Sequence, residues 1–305
     1  MVDSRIAGLV EAAKAGNAYA LTQLAHAQAL GVFMSRNVDM ALDNLVRAAS
    51  AHWPDAKREL EILARRSGAG PKKLRDCVNV ETLRRPPPRR ALLESPRVRV
   101  FEGFATPQEC DWLIERARPL LGPAQVYQDA SAELTQHEGR SNSEASFDFE
   151  AADVVLAMIY DRIARASGVP IEHFEVGKLL HYKPGETFAR HTDFLETGGP
   201  MDEEIAARGQ RVATFLTYLS DDYDAGETEF TDAGFKFKAR KGDALMFLNV
   251  DSEGRPDPMS MHAGTPPTRG EKWVLSLWLR GKTVNSHHTP RVTAGRLPPE
   301  WYRDA

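Results

Sequence analysis

Two residues that could bind a metal ion stand two positions apart in His191-Thr192-Asp193. On an extended chain the side chains at positions i and i+2 leave the same face, so this imidazole and this carboxylate can reach one ion. His262 comes much later, just before the strongest strand pattern in the chain, and strand pairing would return it to that pair. Two imidazoles and one carboxylate leave three positions open on an octahedral ion, as iron(II) needs for a co-substrate and dioxygen. The sequence therefore predicts an iron site formed by His191, Asp193 and His262.

The strand pattern at residues 272–280 carries a second candidate group. One of its faces is apolar, and the other begins with Lys272 and includes Trp278. A polar face so close to His262 can present the Lys272 ammonium to the far carboxylate of a dicarboxylic acid that chelates the metal. The competing interpretation is a solvent-facing strand whose lysine reaches into water, and it leaves Trp278 on that face unexplained.

The order of the predicted elements indicates how these groups are positioned. A strand at 98–101 is followed by a helix that begins with the capping box Thr106-Pro107-Gln108-Glu109, and a second helix ends at Gly168. Strand patterns then occupy 174–183, 211–220, 243–249 and 272–280. Helices first and strands afterwards predict an α+β fold in which helices flank an antiparallel sheet or barrel.

The first 66 residues have a different pattern, which predicts four short helices. The pattern of small and polar residues at 12–17 is repeated at 48–53. The spacing between the two copies is typical of stacked helix pairs. This segment resembles Sel-like repeats of the tetratricopeptide type. We therefore expect a small all-α helical-repeat domain at 1–66, an extended polyproline-type linker at 67–93 and a catalytic domain at 94–305. The repeat could dock a partner peptide or only stabilise the second domain, and the second interpretation is favoured.

Composition limits the partners that the protein can have. The formal net charge of −4 over 305 residues gives no general attraction to nucleic acid or to a membrane surface. Two cysteines far apart, Cys77 and Cys110, argue against a disulfide framework, and the chain has no apolar run of membrane-spanning length. A cytoplasmic location is the expectation, and the oligomeric state is left open.

Many fragments of the second domain match one family in order, and the chain from about Ser95 to Arg280 resembles the catalytic domain of the prolyl 4-hydroxylase alpha-subunit family. The matching fragments are Ser95-Pro96-Arg97-Val98, Phe104-Ala105-Thr106, Arg140-Ser141-Asn142, Tyr182-Lys183-Pro184-Gly185-Glu186, His191-Thr192-Asp193-Phe194, Arg211-Val212-Ala213-Thr214, Tyr218-Leu219, Ala225-Gly226-Glu227-Thr228, Lys241-Gly242-Asp243-Ala244, His262-Ala263-Gly264 and Gly270-Glu271-Lys272-Trp273.

This resemblance implies a double-stranded beta-helix, or jelly roll, with iron(II) bound by the triad and 2-oxoglutarate as co-substrate. It implies that Lys272 binds the far carboxylate of 2-oxoglutarate and that Tyr182 and Thr214 help to hold the molecule. Arg140, Glu175, Trp278 and the segment near Arg208 match positions on the substrate side, all of them less closely than the iron and 2-oxoglutarate residues do. The implied reaction uses dioxygen to hydroxylate a peptide, with a prolyl residue as the expected target, and ascorbate is a candidate reductant.

The sequence also departs from the family pattern, mostly on the substrate side of the implied pocket. Phe188 stands where tyrosine is common, Asn142 where serine is, Arg280 where histidine is and Thr265 where cysteine is. These departures leave the iron and 2-oxoglutarate positions intact. The substrate therefore stays open between proline in a protein, a free amino acid and another residue.

Two other functions remain compatible with the residues alone. Zinc also accepts two histidines and a carboxylate, which would suit a hydrolase. A binding protein that uses the helical repeat and has lost catalysis is the other alternative. The segment 196–210, which begins near Gly198-Gly199-Pro200, is either a mobile lid over the site or an ordinary surface loop.

Overall fold

The computed structural model describes residues 6–127, 134–135, 139–148, 151–284 and 295–305. Over these residues the chain forms two compact units. The first contains residues 6–85 together with 151–165, and the second contains the described residues of 86–148, 166–284 and 295–305. The first unit thus includes a segment from the middle of the chain, which a linear division of the sequence does not anticipate. The domain boundaries at 66 and 94 stay a prediction.

Four helices open the first unit, as the sequence predicts. Asn17 and Asn37 cap two of them, because each side-chain oxygen accepts a hydrogen bond from the backbone N–H three residues later. Gly31 ends the second helix at a φ of 79°, a conformation that favours glycine. Many of the residues that these helices bury are alanines. The assignment to Sel-like repeats stays a prediction. The helices are α1 (Ala7–Lys14), α2 (Ala18–Leu30), α3 (Val38–Ser50) and α4 (Pro54–Leu63).

The prediction of an extended linker at 67–93 is wrong for much of this segment. It contains two short helices, α5 (Pro71–Cys77) and α6 (Val80–Arg84), and then the strand β1 (Arg89–Glu94). Pro71 takes the first helical position, where its missing N–H has no cost. Leu74 and Leu83 are buried and attach these helices to the first unit, so tertiary packing overrides the proline-rich and basic composition.

The second unit contains two main antiparallel sheets of the predicted jelly-roll kind. The strands after β1 are β2 (Arg97–Phe101), β3 (Gly122–Pro123), β4 (Val126–Tyr127), β5 (Leu134–Thr135), β6 (Ser143–Phe147), β7 (Gly177–Tyr182), β8 (Phe188–His191), β9 (Arg211–Tyr218), β10 (Asp224–Ala225), β11 (Thr228–Phe230), β12 (Phe235–Phe237), β13 (Ala244–Leu248), β14 (His262–Gly264), β15 (Pro267–Arg269) and β16 (Lys272–Arg280). The larger sheet has eight strands in the order β1-β2-β13-β9-β16-β7-β6-β3, and the smaller has four in the order β12-β11-β14-β8. Among the described residues, β10 pairs with β15 and β4 with β5 as two further two-stranded sheets.

The four predicted long strands are present as β7, β9, β13 and β16, and β16 lies between β7 and β9. Its apolar face is buried, with Trp273, Leu275 and Leu277 at most 2% exposed. The residues of the other face alternate with these, so they point to the interior of the double-sheet structure, where the cavity described below lies.

The remaining helices are α7 (Pro107–Ala117), α8 (Val154–Ser167), α9 (Asp202–Arg208) and α10 (Pro299–Asp304). The predicted capping box of α7 is formed, with Thr106 and Glu109 each bonding the other's backbone N–H. Gly168 follows α8 at a φ of 70°, as its position in the sequence predicts. No helix in the part of the chain that the structure describes is long and apolar enough to cross a membrane.

Candidate active site

The three predicted metal-binding side chains converge in the second unit. His191 ends β8 and His262 begins β14, and the register of these paired strands sets the two residues opposite each other. Asp193 follows β8 and is buried, and the ligating atoms of all three residues lie within 4.8 Å of one another. The Nε2 atoms of His191 and His262 are each 3.6 Å from an oxygen of Asp193, which is beyond hydrogen-bond length. Among the residues described, no other group of three His, Cys, Asp or Glu side chains comes together in this way.

Both imidazoles are held in the form that binds a metal. The Nδ1–H of His191 donates to the carbonyl oxygen of Ala189 at 2.8 Å, and that of His262 donates to the carbonyl of Ser260 at 3.0 Å. A carbonyl oxygen can only accept, so each Nδ1 carries the proton and each Nε2 keeps a free lone pair. Burial and the neighbouring His191 lower the pKa of His262 to about 4, which keeps its ring neutral. The donor set therefore fits a divalent ion.

Asp193 is held ionised and oriented by a neighbouring hydroxyl. Burial alone would raise the pKa of this carboxyl, but His262, His191 and Thr214 outweigh burial and hold the pKa below its usual value. The Thr214 hydroxyl donates to Oδ2 of Asp193 at 2.6 Å. The resemblance assigned Thr214 to 2-oxoglutarate, whereas the structure places its hydroxyl on the predicted metal ligand. Its role in binding 2-oxoglutarate stays a prediction without a supporting contact.

A cavity opens between the two sheets beside these residues. The large sheet contributes residues of β7, β9 and β16 to its wall, and the small sheet contributes residues of β8, β11 and β14. The lining residues are Leu180, Tyr182, Phe188, His191, Asp193, Leu216, Thr228, His262, Ala263, Gly264, Lys272, Val274, Ser276 and Trp278. Of the residues predicted to bind the co-substrate or the substrate, Tyr182, Lys272 and Trp278 line the cavity, whereas Arg140 does not.

Lys272 is a buried ammonium that has no ion-pair partner among the described residues. Its side chain is in the cavity wall, the residue is only 2% exposed, and its Nζ lies 5.1 Å and 5.9 Å from the ring centres of Tyr182 and Tyr218. No carboxylate in the described part of the chain forms an ion pair with it. Burial lowers the pKa of Lys272 to about 8. Glu227 acts on this ammonium only from a distance and offsets part of the cost of burying it. A buried cation without an ion-pair partner is costly, so this end of the cavity is suited to an anionic group.

Thr228 lies in the cavity wall and the Tyr218 ring lies 5.9 Å from the Lys272 Nζ, and sequence reasoning missed both as site residues. The Tyr218 and Thr228 hydroxyls are hydrogen-bonded at 2.7 Å, and burial raises the pKa of Tyr218, so its phenol stays protonated. The sequence held a signal for Tyr218, because the alternation along the strand pattern at 211–220 puts it on the same face as Thr214.

The buried Lys272 should make the stability of the ligand-free protein depend on pH. Its folded pKa of about 8 lies below the ordinary value of 10.5, so the unfolded chain binds more protons between these two values. The free energy of unfolding should therefore rise with pH across that window, as the penalty of burying a charged lysine is lost. Urea unfolding of ligand-free wild type and Lys272→Met measures this. We expect the stability advantage of the variant to shrink from pH 8 towards pH 10.5, and a constant difference would contradict the burial of a charged amine.

Phe188 and Trp278 form the aromatic part of the cavity wall, and a cation packs against each of them. The Phe188 ring stacks on the His191 imidazole, with centres 3.6 Å apart and planes 12° apart, and the Arg140 guanidinium lies 4.2 Å from its centre. Arg140 donates to Glu144 at 2.8 Å and contacts Phe188 without lining the cavity itself. The Arg211 guanidinium lies 3.9 Å from the Trp278 ring, whose indole N–H has no acceptor among the described residues.

The remaining predicted substrate-side residues belong to an ion-pair network next to this wall. Glu175 accepts two hydrogen bonds from Arg211, at 2.7 Å and 2.8 Å, and lies 3.3 Å from Arg280. Arg280 also donates to Glu204 on α9, at 2.8 Å. Arg208 is exposed, and its ion pair is with Glu204. The segment 196–210 thus includes a short helix without buried residues, and its role as a lid stays a prediction.

Comparison with known proteins finds a family model and several similar proteins. Residues 177–280 match the model of the 2OG-Fe(II) oxygenase superfamily. Probable prolyl 4-hydroxylase 4 of Arabidopsis thaliana is 32% identical in an alignment 216 residues long, which covers 64% of this chain and 71% of the relative. Prolyl 4-hydroxylase 13 of the same plant is 34% identical in an alignment 210 residues long, which covers 63% of this chain and 73% of the relative. The 2OG complex of a viral collagen prolyl hydroxylase from Paramecium Bursaria Chlorella virus-1 matches 59% of this chain and 94% of its own, with 25% identity and a TM-score of 0.45.

Proposed function

Because this chain belongs to the prolyl 4-hydroxylase family of 2OG-Fe(II) oxygenases, we propose that it hydroxylates a prolyl residue of a peptide or protein. The activity is that of a dioxygenase, with iron(II) as the metal and 2-oxoglutarate as the co-substrate. Succinate and carbon dioxide are the products that accompany hydroxylation. The names of the relatives support the prolyl target, and the cavity geometry supports the binding roles assigned below.

We assign iron(II) to His191, Asp193 and His262. The convergence of their ligating atoms and the free Nε2 lone pairs of both imidazoles support this assignment. Three protein ligands leave positions for 2-oxoglutarate and dioxygen. When bound, the iron and 2-oxoglutarate activate dioxygen, and the conversion of 2-oxoglutarate to succinate and carbon dioxide supplies the oxidising power that hydroxylates a C–H bond.

The observation that carries the proposal is the buried Lys272 ammonium in the same cavity as the iron-binding triad. A dicarboxylic acid suits both features, because one of its ends can bind the metal while the far carboxylate neutralises Lys272. Burial raises the pKa values of Tyr182 and Tyr218, so both phenols stay protonated beside that carboxylate position and can donate hydrogen bonds to it. These residues bind and orient the co-substrate and exclude water from the cavity.

Phe188 and Trp278 are assigned to the substrate. A prolyl side chain has no hydrogen-bonding group, and the two aromatic rings in the cavity wall offer it apolar contact. The unpaired indole N–H of Trp278 can donate to a carbonyl oxygen of the peptide. Arg140 supports this wall through its contact with Phe188, which is an indirect role instead of direct substrate contact.

We also propose a cytoplasmic location and neither a nucleic-acid nor a membrane partner. The two cysteines, far apart in the sequence, suit a reducing compartment. The formal net charge of −4 gives no general attraction to nucleic acid or to a membrane surface.

A screen of proline-containing peptides tests the proposed reaction. We expect at least one peptide to gain a single oxygen atom on proline when iron(II), 2-oxoglutarate, dioxygen and ascorbate as reductant are present, with succinate formed in equal amount. Mass spectrometry of the peptide and a succinate assay measure this. Omission of 2-oxoglutarate and replacement of each proline by alanine are the controls. Peptide cleavage without dioxygen uptake would favour a zinc hydrolase, and oxygen on alanine-substituted peptides would exclude proline as the target.

A further inference from the structure

Asp193 is held by a chain of two hydrogen bonds that begins at Asn249, directly after β13. The Asn249 Nδ2 donates to the Thr214 Oγ1 at 3.0 Å, and that hydroxyl donates to Asp193 Oδ2 at 2.6 Å. Asn249 is 0% exposed and Thr214 is 1% exposed. An ionised carboxylate can only accept, so Thr214 gives its single proton to Asp193 and can only accept from its other neighbour. The direction of both hydrogen bonds is therefore fixed.

With this direction, the amide oxygen of Asn249 has no hydrogen-bond donor among the described residues. Its Nδ2 must face Thr214, and its Oδ1 then has no donor in the part of the chain that the structure describes. A buried amide oxygen without a partner destabilises the folded protein, so folding stability alone does not account for an asparagine here. The backbone fixes its position, because its N–H donates to the carbonyl of Val212 and its own carbonyl accepts from Asp257.

We propose that Asn249 is a positioning residue for the iron, acting through Thr214 on the Asp193 carboxylate. Asn249 keeps the Thr214 hydroxyl directed at Oδ2, which restrains rotation of the carboxylate and keeps it facing His191 and His262. The inference rests on the proposed function only in taking Asp193 as an iron ligand. It adds a residue that contacts neither the iron-binding atoms nor the cavity, and whose loss weakens the metal site without removing a ligand.

Metal titration of the full-length protein tests this, with cobalt(II) as the probe and with neither 2-oxoglutarate nor peptide present. We expect Asn249→Leu and Thr214→Val each to weaken cobalt(II) binding by about 10- to 100-fold, the size of effect that partners of metal ligands have. Thr214→Ser keeps the hydroxyl and should bind as the wild type does. The double variant should bind no more weakly than Thr214→Val alone, because Asn249 acts only through Thr214.

Thr217→Val is the matched control. Thr217 is a buried threonine on the same strand, and its hydroxyl has no partner among the described residues, so its loss should leave cobalt(II) affinity unchanged. Should Asn249→Leu fail to fold, Asn249→Ala provides the same comparison. Wild-type affinity in the Asn249 variants, or losses that add in the double variant, would overturn the proposal. If Asp193→Ala also binds cobalt(II) normally, the iron site itself fails; if only Asp193→Ala loses the metal, the fault lies with the Asn249 inference alone.

Discussion

Replacement of Asp193 by alanine is expected to abolish metal binding and, with it, succinate formation. Asp193 supplies the negative charge among the three proposed ligands, and its side chain is buried between two imidazoles whose Nε2 atoms are each 3.6 Å from its oxygens. Two neutral histidines alone hold a divalent ion far less firmly than a set with a carboxylate. Cobalt(II) titration and a succinate assay measure the loss, and His191→Ala should give the same result.

Thr192→Ala is the matched control, since Thr192 stands between the two ligands in the sequence and contributes no ligating atom. We expect it to keep metal affinity and turnover close to those of the wild type. Succinate formation by Asp193→Ala at the wild-type rate would contradict the iron assignment. Equal losses in Asp193→Ala and Thr192→Ala would show that the local backbone, not the carboxylate, is what the reaction needs.

Lys272→Met is expected to have opposite effects on ligand binding and on stability. Loss of the ammonium removes the partner of the far carboxylate, at a cost of about 2–5 kcal/mol, which weakens 2-oxoglutarate binding by at least about 30-fold. The ligand-free protein should become more stable, by about 1–4 kcal/mol at neutral pH, because a buried cation without an ion-pair partner gives way to an apolar side chain. Calorimetric titration of 2-oxoglutarate into the manganese(II)-loaded protein and urea unfolding without ligand measure the two effects.

Lys178→Met provides a lysine control on the neighbouring strand. Lys178 lies on β7 opposite Ser276 of β16 and is paired with Glu144 at 2.5 Å, so its charge is already compensated. Its replacement should leave 2-oxoglutarate affinity nearly unchanged. If Lys272→Met binds 2-oxoglutarate as tightly as the wild type, the assigned anion site is contradicted. If ligand-free Lys272→Met is less stable than the wild type, the cost assigned to burying the Lys272 charge is contradicted.

The sequence was sufficient for the elements that carry the chemistry. The i, i+2 spacing of His191 and Asp193 and the alternation along 272–280 are local patterns, and both reflect the period of an extended chain. His262 could be predicted from its place just before the strand pattern at 272–280, whereas its pairing opposite His191 depends on the register of β8 and β14. That register is not readable from either strand alone, because β8 has four residues and β14 has three.

Contacts between distant strands could not be predicted in the same way. The hydrogen bond from Asn249 to Thr214 requires that β13 pair with β9 and that the chain leave β13 just after Leu248. The helices at 71–84 likewise depend on tertiary contacts that bury Leu74 and Leu83. Proline-rich, basic composition predicts an extended connector when such tertiary contacts are unknown. Long-range packing therefore decided the features that local patterns missed.

Anomalous diffraction from crystals grown without oxygen, in manganese(II) and 2-oxoglutarate, tests the central claim most directly. We predict one manganese peak in this cavity, bonded to Nε2 of both His191 and His262 and to the Asp193 carboxylate, with the far carboxylate of 2-oxoglutarate against Lys272 Nζ. A peak out of bonding reach of His262, or a co-substrate whose far carboxylate lies away from Lys272, would contradict the account.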